Sequence, residues 1–271
     1  MNLFIALAAW SELAFGLALF ASLMVANEVG YLLGRQQAAR GSVPIEGVGV
    51  VVGGVLGLLA FVLALTLSFS SARFNDRRNG TLAEANAIGT AWLRAESMGE
   101  PRGTEIARLL EQYAHLRIAF ADAPEDRAMI DDLNRQTNAL QTKIWGHVSA
   151  IERERRDPIL AALMAALSNT FDMTMAQRFA FEFRLPPQIF WLLIGMALLG
   201  MGGLGYQLGL RSNPLRGPVV LLTLVWTVLI VDILDLGASR VGFVRPGTEA
   251  YEWTLQGFQG GVPIPPMPGA N

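Results

Sequence analysis

Apolar residues gather in long unbroken blocks toward the two ends of the chain and follow a helical 3-4 rhythm between them. No charge occurs from Gly47 to Ala72 or from Leu185 to Leu210, 26 residues in each case. At ~1.5 Å per residue such a helix reaches roughly 39 Å, beyond the ~30 Å hydrocarbon core of a bilayer. A third block, Leu3 to Ala26, is interrupted only by Glu12, and a fourth, Pro218 to Leu236, carries Asp232 and Asp235 toward its end. The pattern predicts four membrane spans. The first lacks a basic lead-in, exceeds a typical signal-peptide core in length and contains an acid, so it is expected to be retained rather than cleaved.

The region between spans two and three reads as helices separated by breakers. Ala83 to Met98 is helical in composition and stops before Gly99 and Pro101. Thr104 opens a second helix with Ile106, Leu109, Leu110, Tyr113 and Leu116 on one face. A third, from near Pro124 to about Arg156, places Ile130, Leu133, Thr137, Leu140, Ile144 and Val148 in register. Asp157-Pro158 restarts a fourth as N-cap and first helical residue. Its run Ile159 to Leu167 is apolar almost all round, which predicts burial against other helices. The expected fold is an all-α membrane protein. Spans one and two occupy 1–72, a helical-bundle insert 73–185, spans three and four 186–240, and a tail 241–271, whose proline- and glycine-rich end should be extended or disordered.

Composition agrees: 52% of residues are hydrophobic, 16% are charged and the mean hydropathy is +0.37. Fifteen of the 21 basic and 16 of the 23 acidic residues lie between Arg73 and Arg184. Arg73, Arg77, Arg78, Arg178, Arg184, Arg240 and Arg245 flank the spans on one side, against Arg35, Arg40, Arg211 and Arg216 on the other. The excess puts the insert and both termini in the cytoplasm. A net charge of −2 and a pI of about 5.8 leave no basic footprint for nucleic acid. With no Cys, and His115 and His147 as the two histidines, there is no disulfide framework and little from which to build a metal site.

The most specific local pattern is in span two. Gly49, Gly53 and Gly57 recur every four residues and are joined on that face by Ala60 and Ala64. A small-residue face admits a close helix neighbour; it either packs within the chain or meets its copies around an axis that lines a narrow path. Leu58, Phe61 and Leu65 are expected on the opposite face, turned to lipid or forming a hydrophobic constriction. Glu12 is expected near the bilayer midplane, where an ionised carboxylate costs at least ~2.5 kcal/mol, and so should face protein or water. Asp232 and Asp235, one turn apart, should share a face. No nucleophile or third ligand accompanies these acids, so neither enzymatic activity, nor a bound metal, nor a cofactor is expected.

Several strings carry a family likeness: Gly57-Leu58-Leu59-Ala60-Phe61, Arg73-Phe74-Asn75-Asp76-Arg77-Arg78, and Glu84-Ala85-Asn86-Ala87-Ile88-Gly89-Thr90-Ala91-Trp92-Leu93-Arg94. With Glu28-Val29-Gly30, Tyr113 to Arg117, Pro186-Pro187, and Asp235 with Gly242 and Arg245, the chain resembles the bacterial bestrophin-like membrane-protein family from about residue 28 to 250. The resemblance implies a multi-pass protein of the bacterial inner membrane with four spans and a cytoplasmic helical insert. By analogy with bestrophins it also implies a homo-oligomer, pentameric in that group, passing anions along an axis lined by span two. Where the family commonly reads Asp-Leu-Asp-Arg-Pro after span four, this chain reads Asp235-Leu236-Gly237-Ala238-Ser239, without the second acid and the arginine. The expected partners are the lipid bilayer, other copies of the chain and inorganic ions. The competing reading is a membrane-anchored signalling or scaffold protein that binds partners through its helical insert.

Overall fold

The computed structural model describes residues 12–41, 45–99, 101–155, 157–183, 186–240 and 244–261. Among these the regular elements are helices: α1 (Glu12–Arg40), α2 (Ile45–Ser97), α3 (Pro101–Asp122), α4 (Arg127–Glu154), α5 (Pro158–Glu182), α6 (Pro187–Leu210), α7 (Arg216–Gly237) and α8 (Glu249–Phe258). Among the described residues four helices are long and apolar enough to cross a membrane: α1, α2, α6 and α7.

The chain divides into two compact units, with α2 contributing to both. The first unit takes residues up to Phe74 and from Arg184 to Val244. Its core joins Phe15, Leu19 and Leu23 of α1, Leu59 and Leu63 of α2, Leu193, Ala197 and Met201 of α6, and Trp226, Ile230 and Ile233 of α7. The pair α1 and α6 has the most extensive contact, and glycine is the reason. A Cβ built on Gly30 would stand 2.9 Å from the Gly202 carbonyl carbon, and one on Gly34 3.0 Å from that of Tyr206. From the other helix, a Cβ on Gly205 would stand 2.8 Å from the Asn27 carbonyl carbon, and one on Gly209 2.9 Å from the Arg35 amide. Two Gly-x-x-x-Gly faces therefore meet backbone to backbone. Asn27 Nδ2 closes the seam by donating to the Met201 carbonyl at 3.1 Å.

The second unit takes Asn75 to Phe183 and the residues from Arg245 on. Its core gathers Ile88, Ala91 and Trp92 of α2, Ile106, Leu109, Leu110 and Tyr113 of α3, Ile144, Val148 and Ile151 of α4, Leu163 and Leu167 of α5, and Tyr251 and Phe258 of α8. Local signals set the boundaries. Asp157 caps α5 by accepting from the Leu160 amide at 2.8 Å, with Pro158 in the first turn. Asp126 caps α4 by accepting from Ala128 N, so that helix opens at Arg127 rather than near Pro124.

Several expectations are corrected. Span two and the helix predicted from Ala83 form one helix of 53 residues. Gly80 lies inside it with the Gln177 side-chain carbonyl oxygen against it, where a Cβ would collide. The first apolar helix continues past Ala26 to Arg40, since Glu28 pairs with Arg216 at 3.0 Å and Val29, Leu32 and Leu33 keep the segment apolar. The α5 run Ile159 to Leu167 is buried on one side only, with Ile159, Ala161, Ala162 and Ala165 exposed. The C-terminal segment supplies a packed helix, α8, to the second unit, while its proline-rich end, 262–271, lies outside the described residues.

Candidate functional site: the open face of helix α2

α2 buries one stripe and leaves the rest open. Val52, Leu59, Leu63, Thr66 and Ser70 face inward in the first unit. Gly53 and Gly57 have nothing within 4 Å of the position a Cβ would take, and Ala60 and Ala64 are exposed. Gly49 is the exception, since a Cβ there would lie 2.9 Å from Gln207 Nε2. Among the described residues the small-residue face thus has a partner at its first position and none at Gly53 or Gly57.

Leu58, Phe61 and Leu65 are also exposed, but not on the opposite face. At about 100° per residue they point roughly a third of a turn from the glycine row, so both sets belong to one broad open side. The side opposite is the buried stripe. Phe61 therefore stands next to the gap left by Gly57 and Ala64, a bulky ring beside a small-residue groove.

The acids separate. Glu12 is the first described residue of α1, but its side chain lies outside the described residues. Asp232 is exposed, whereas Asp235, three residues on, is buried and accepts from the Val244 amide at 3.2 Å. They do not form the paired site that their spacing suggests, because 60° of helical rotation carries one of them off the packed face. Among the described residues no three His, Cys, Asp or Glu side chains come together as a metal-binding group. His115 is exposed and His147 half-buried.

A buried polar cluster that the sequence reading did not assign lies in the second unit. Glu84 and Arg117 are 0% and 1% exposed and pair at 2.6 Å. The Glu84 carboxylate also accepts from Tyr251 Oη at 2.6 Å and Thr174 Oγ1 at 2.7 Å. Tyr113 Oη and Thr174 Oγ1 share a hydrogen bond at 2.6 Å, and Gln141 Nε2 donates to Tyr113 Oη. Burial pushes the Tyr113 phenol up to about 12 and that of Tyr251 well above its ordinary 10, with the Glu84 charge adding to both. Burial opposes the charge on Arg117, but Glu84, Tyr251 and Tyr113 together raise the guanidinium pKa. Every carboxylate oxygen has a donor, so the cluster ties α2, α3, α5 and α8 together and offers no open ligand site. The signal was available: Glu84 repeats with Ile88, Ala91 and Ala95 on one helical face, and Arg117 with Tyr113 and Phe120 on another. A charge inside an apolar stripe requires a partner inside the core.

The Bestrophin-like domain matches residues 17–239. The crystal structure of a membrane protein shares the fold with a TM-score of 0.65 at 14% identity, covering 90% of this chain and 99% of that one. No curated protein matches the chain.

Proposed function

Because this chain belongs to the Bestrophin-like family, we propose that it is an oligomeric ion channel whose path runs along the open side of α2. The observation that carries this reading is the unpartnered row at Gly53 and Gly57. Glycines packed inside the chain bring backbones together, as between α1 and α6. A lipid tail gains nothing from a missing side chain, so an open glycine row suits contact with another copy or a narrow path. Phe61 supplies the constriction and Leu58 and Leu65 flank it, making a short apolar neck that restricts hydration.

The open side of α2 carries no ionisable group from Gly47 to Ala72, and hydroxyls follow at Ser68 and Ser71. A lining of dipoles rather than fixed charges suits weak, multi-site binding. Anions are favoured by the family analogy. The charge-rich second unit lies in the cytoplasm with both termini, in the inner membrane of a bacterium, and the protein carries out no chemical transformation. Cytoplasmic placement is supported by the arginine excess at that end of the spans.

The test is ion flux through purified protein in liposomes, under chloride and under potassium gradients, with Phe61→Ala as the paired sample. Widening the neck should raise flux and leave ion preference unchanged. An intact oligomer that passes neither ion in either form refutes the channel reading. It would return the second unit to the scaffold role.

A further inference from the structure

We infer that the second unit carries both halves of a contact between copies of this chain, in which Trp253 of one copy fills the groove between α2 and α5 of the next. The inference rests on the reading above in one respect, that α2 turns its open side to a shared axis. Around α2, at about 100° per residue, Leu82, Leu93, Asn86 and Thr90 occupy the sector between Gly89 and Arg94, and Leu93 lines the groove that opens from it toward α5. Beyond one edge lies α8, with Thr254 against Ala85 and Gly89 and with Phe258 stacked on Trp92 at 4.4 Å. Beyond the other lies α5, whose Ala162 carbonyl accepts from Arg94. Copies inserted the same way into one bilayer are related by rotation about its normal, so each contact is head to tail. With α2 toward the axis, the α8 flank of one copy meets the α5 flank of its neighbour.

The two flanks complement each other. On the α5 side, Leu93, Ile159, Ala162 and the Arg94 stem line an open groove of about 340 Å³, with Leu93 52% and Ile159 58% exposed. The Arg94 guanidinium has no acidic partner among the described residues. On the α8 side, Trp253 is 65% exposed and stands between Glu252 and, one turn earlier, Glu249. An indole seated in an apolar groove, with acids meeting a guanidinium at the rim, is the usual composition of an interface hot spot. A tryptophan left fully in water forfeits most of the ~150–250 Å² that such a ring can bury.

The chain has no cysteine, so disulfide mapping reports introduced positions alone. Two differently tagged forms, one carrying Trp253→Cys and the other Ile159→Cys, are co-expressed and oxidised in native membranes. The expected product is the mixed dimer, with neither like-with-like dimer, and its loss when the Ile159→Cys copy also carries Arg94→Glu. Absence of the mixed dimer in membranes where each form is folded and oligomeric overturns the contact. So does a predominant Trp253→Cys homodimer, which would mean a two-fold contact. Quenching of Trp253 by brominated lipid would assign that face to the bilayer and overturn it as well. Flux separates the two ideas: flux without the mixed dimer sinks this interface and leaves the channel, while the mixed dimer without flux does the reverse.

Discussion

Replacing Gly205 by alanine should force α1 and α6 apart. The new Cβ would lie 2.8 Å from the Asn27 carbonyl carbon and nearer still to its oxygen. Carbon atoms in good contact sit at about 3.5–4.0 Å, so the helices must separate by roughly an ångström. Neither obstructing atom belongs to a side chain that can rotate away. Overpacking of this kind costs about 1–3 kcal/mol, and a backbone obstacle belongs at the upper end. The better helix propensity of alanine returns about 1 kcal/mol. The 3.1 Å bond from Asn27 to Met201 crosses the same seam and stretches with it, at about 0.6 kcal/mol. The net loss is therefore about 2–3 kcal/mol. Gly57→Ala is the matched control, since nothing lies within 4 Å of its Cβ position and only the propensity gain remains in the isolated chain. Unfolding of the monomer in a detergent that dissociates any oligomer, followed by helical circular dichroism, should place Gly205→Ala below the parent and Gly57→Ala at or above it. A Gly205→Ala protein as stable as the parent would refute the close α1–α6 crossing.

Three further expectations concern the second unit. Arg117→Met leaves the Glu84 carboxylate, 0% exposed, without its counter-charge and should cost about 3–5 kcal/mol in denaturant titrations, with Glu84→Gln in the same chain recovering part of it. Gly80→Ala drives a methyl into the Gln177 amide and should lose about 1–3 kcal/mol; adding Gln177→Ala should restore some of this, and strictly additive effects would contradict the contact. Tyr113 and Tyr251 have folded-state pKa values raised above the unfolded 10, so the stability they contribute is complete below pH 10 and is lost as pH climbs through about 12 for Tyr113. Tyrosinate absorbance should therefore show these two phenols ionising only as helicity is lost; ionisation near pH 10 with the fold intact would argue against their burial.

The helical class and the four apolar stretches were legible because both rest on long runs: 26 uncharged residues admit few other readings. The cap at Asp157 shows where local chemistry suffices, whereas α4 opens at Arg127 behind the Asp126 cap rather than near Pro124. What escaped depended on partners distant in sequence. The contact of Gly80 with Gln177, nearly a hundred residues later, leaves no local mark in the sequence. Asp232 and Asp235 read as a pair until packing buries one and exposes the other. Of the candidate site, Gly53, Gly57, Ala60 and Ala64 share an exposed face of α2, and Leu58, Phe61 and Leu65 stand beside that face rather than opposite it. Small and large rows a third of a turn apart look opposed in sequence and adjacent on the helix.

Gly30 and Gly34, Gly49, Gly53 and Gly57, and Gly205 and Gly209 repeat at the same spacing, and sequence alone does not rank them. The structure does. The first and last sets satisfy one another across α1 and α6, while the glycines that α6 turns toward α2, Gly200 and Gly203, meet Leu56 and Val52 rather than Gly53 or Gly57. α7 packs against α1 and α6. Among the described residues, nothing lies within 4 Å of where a Cβ would stand at Gly53 or Gly57. An open glycine in a helix interior carries a propensity cost of about 1 kcal/mol with no packing inside the chain to offset it. On the channel reading proposed above, what offsets it is another copy of the same helix, approaching at backbone distance in fixed register. That reading puts the symmetry axis on the side of α2 that carries Phe61.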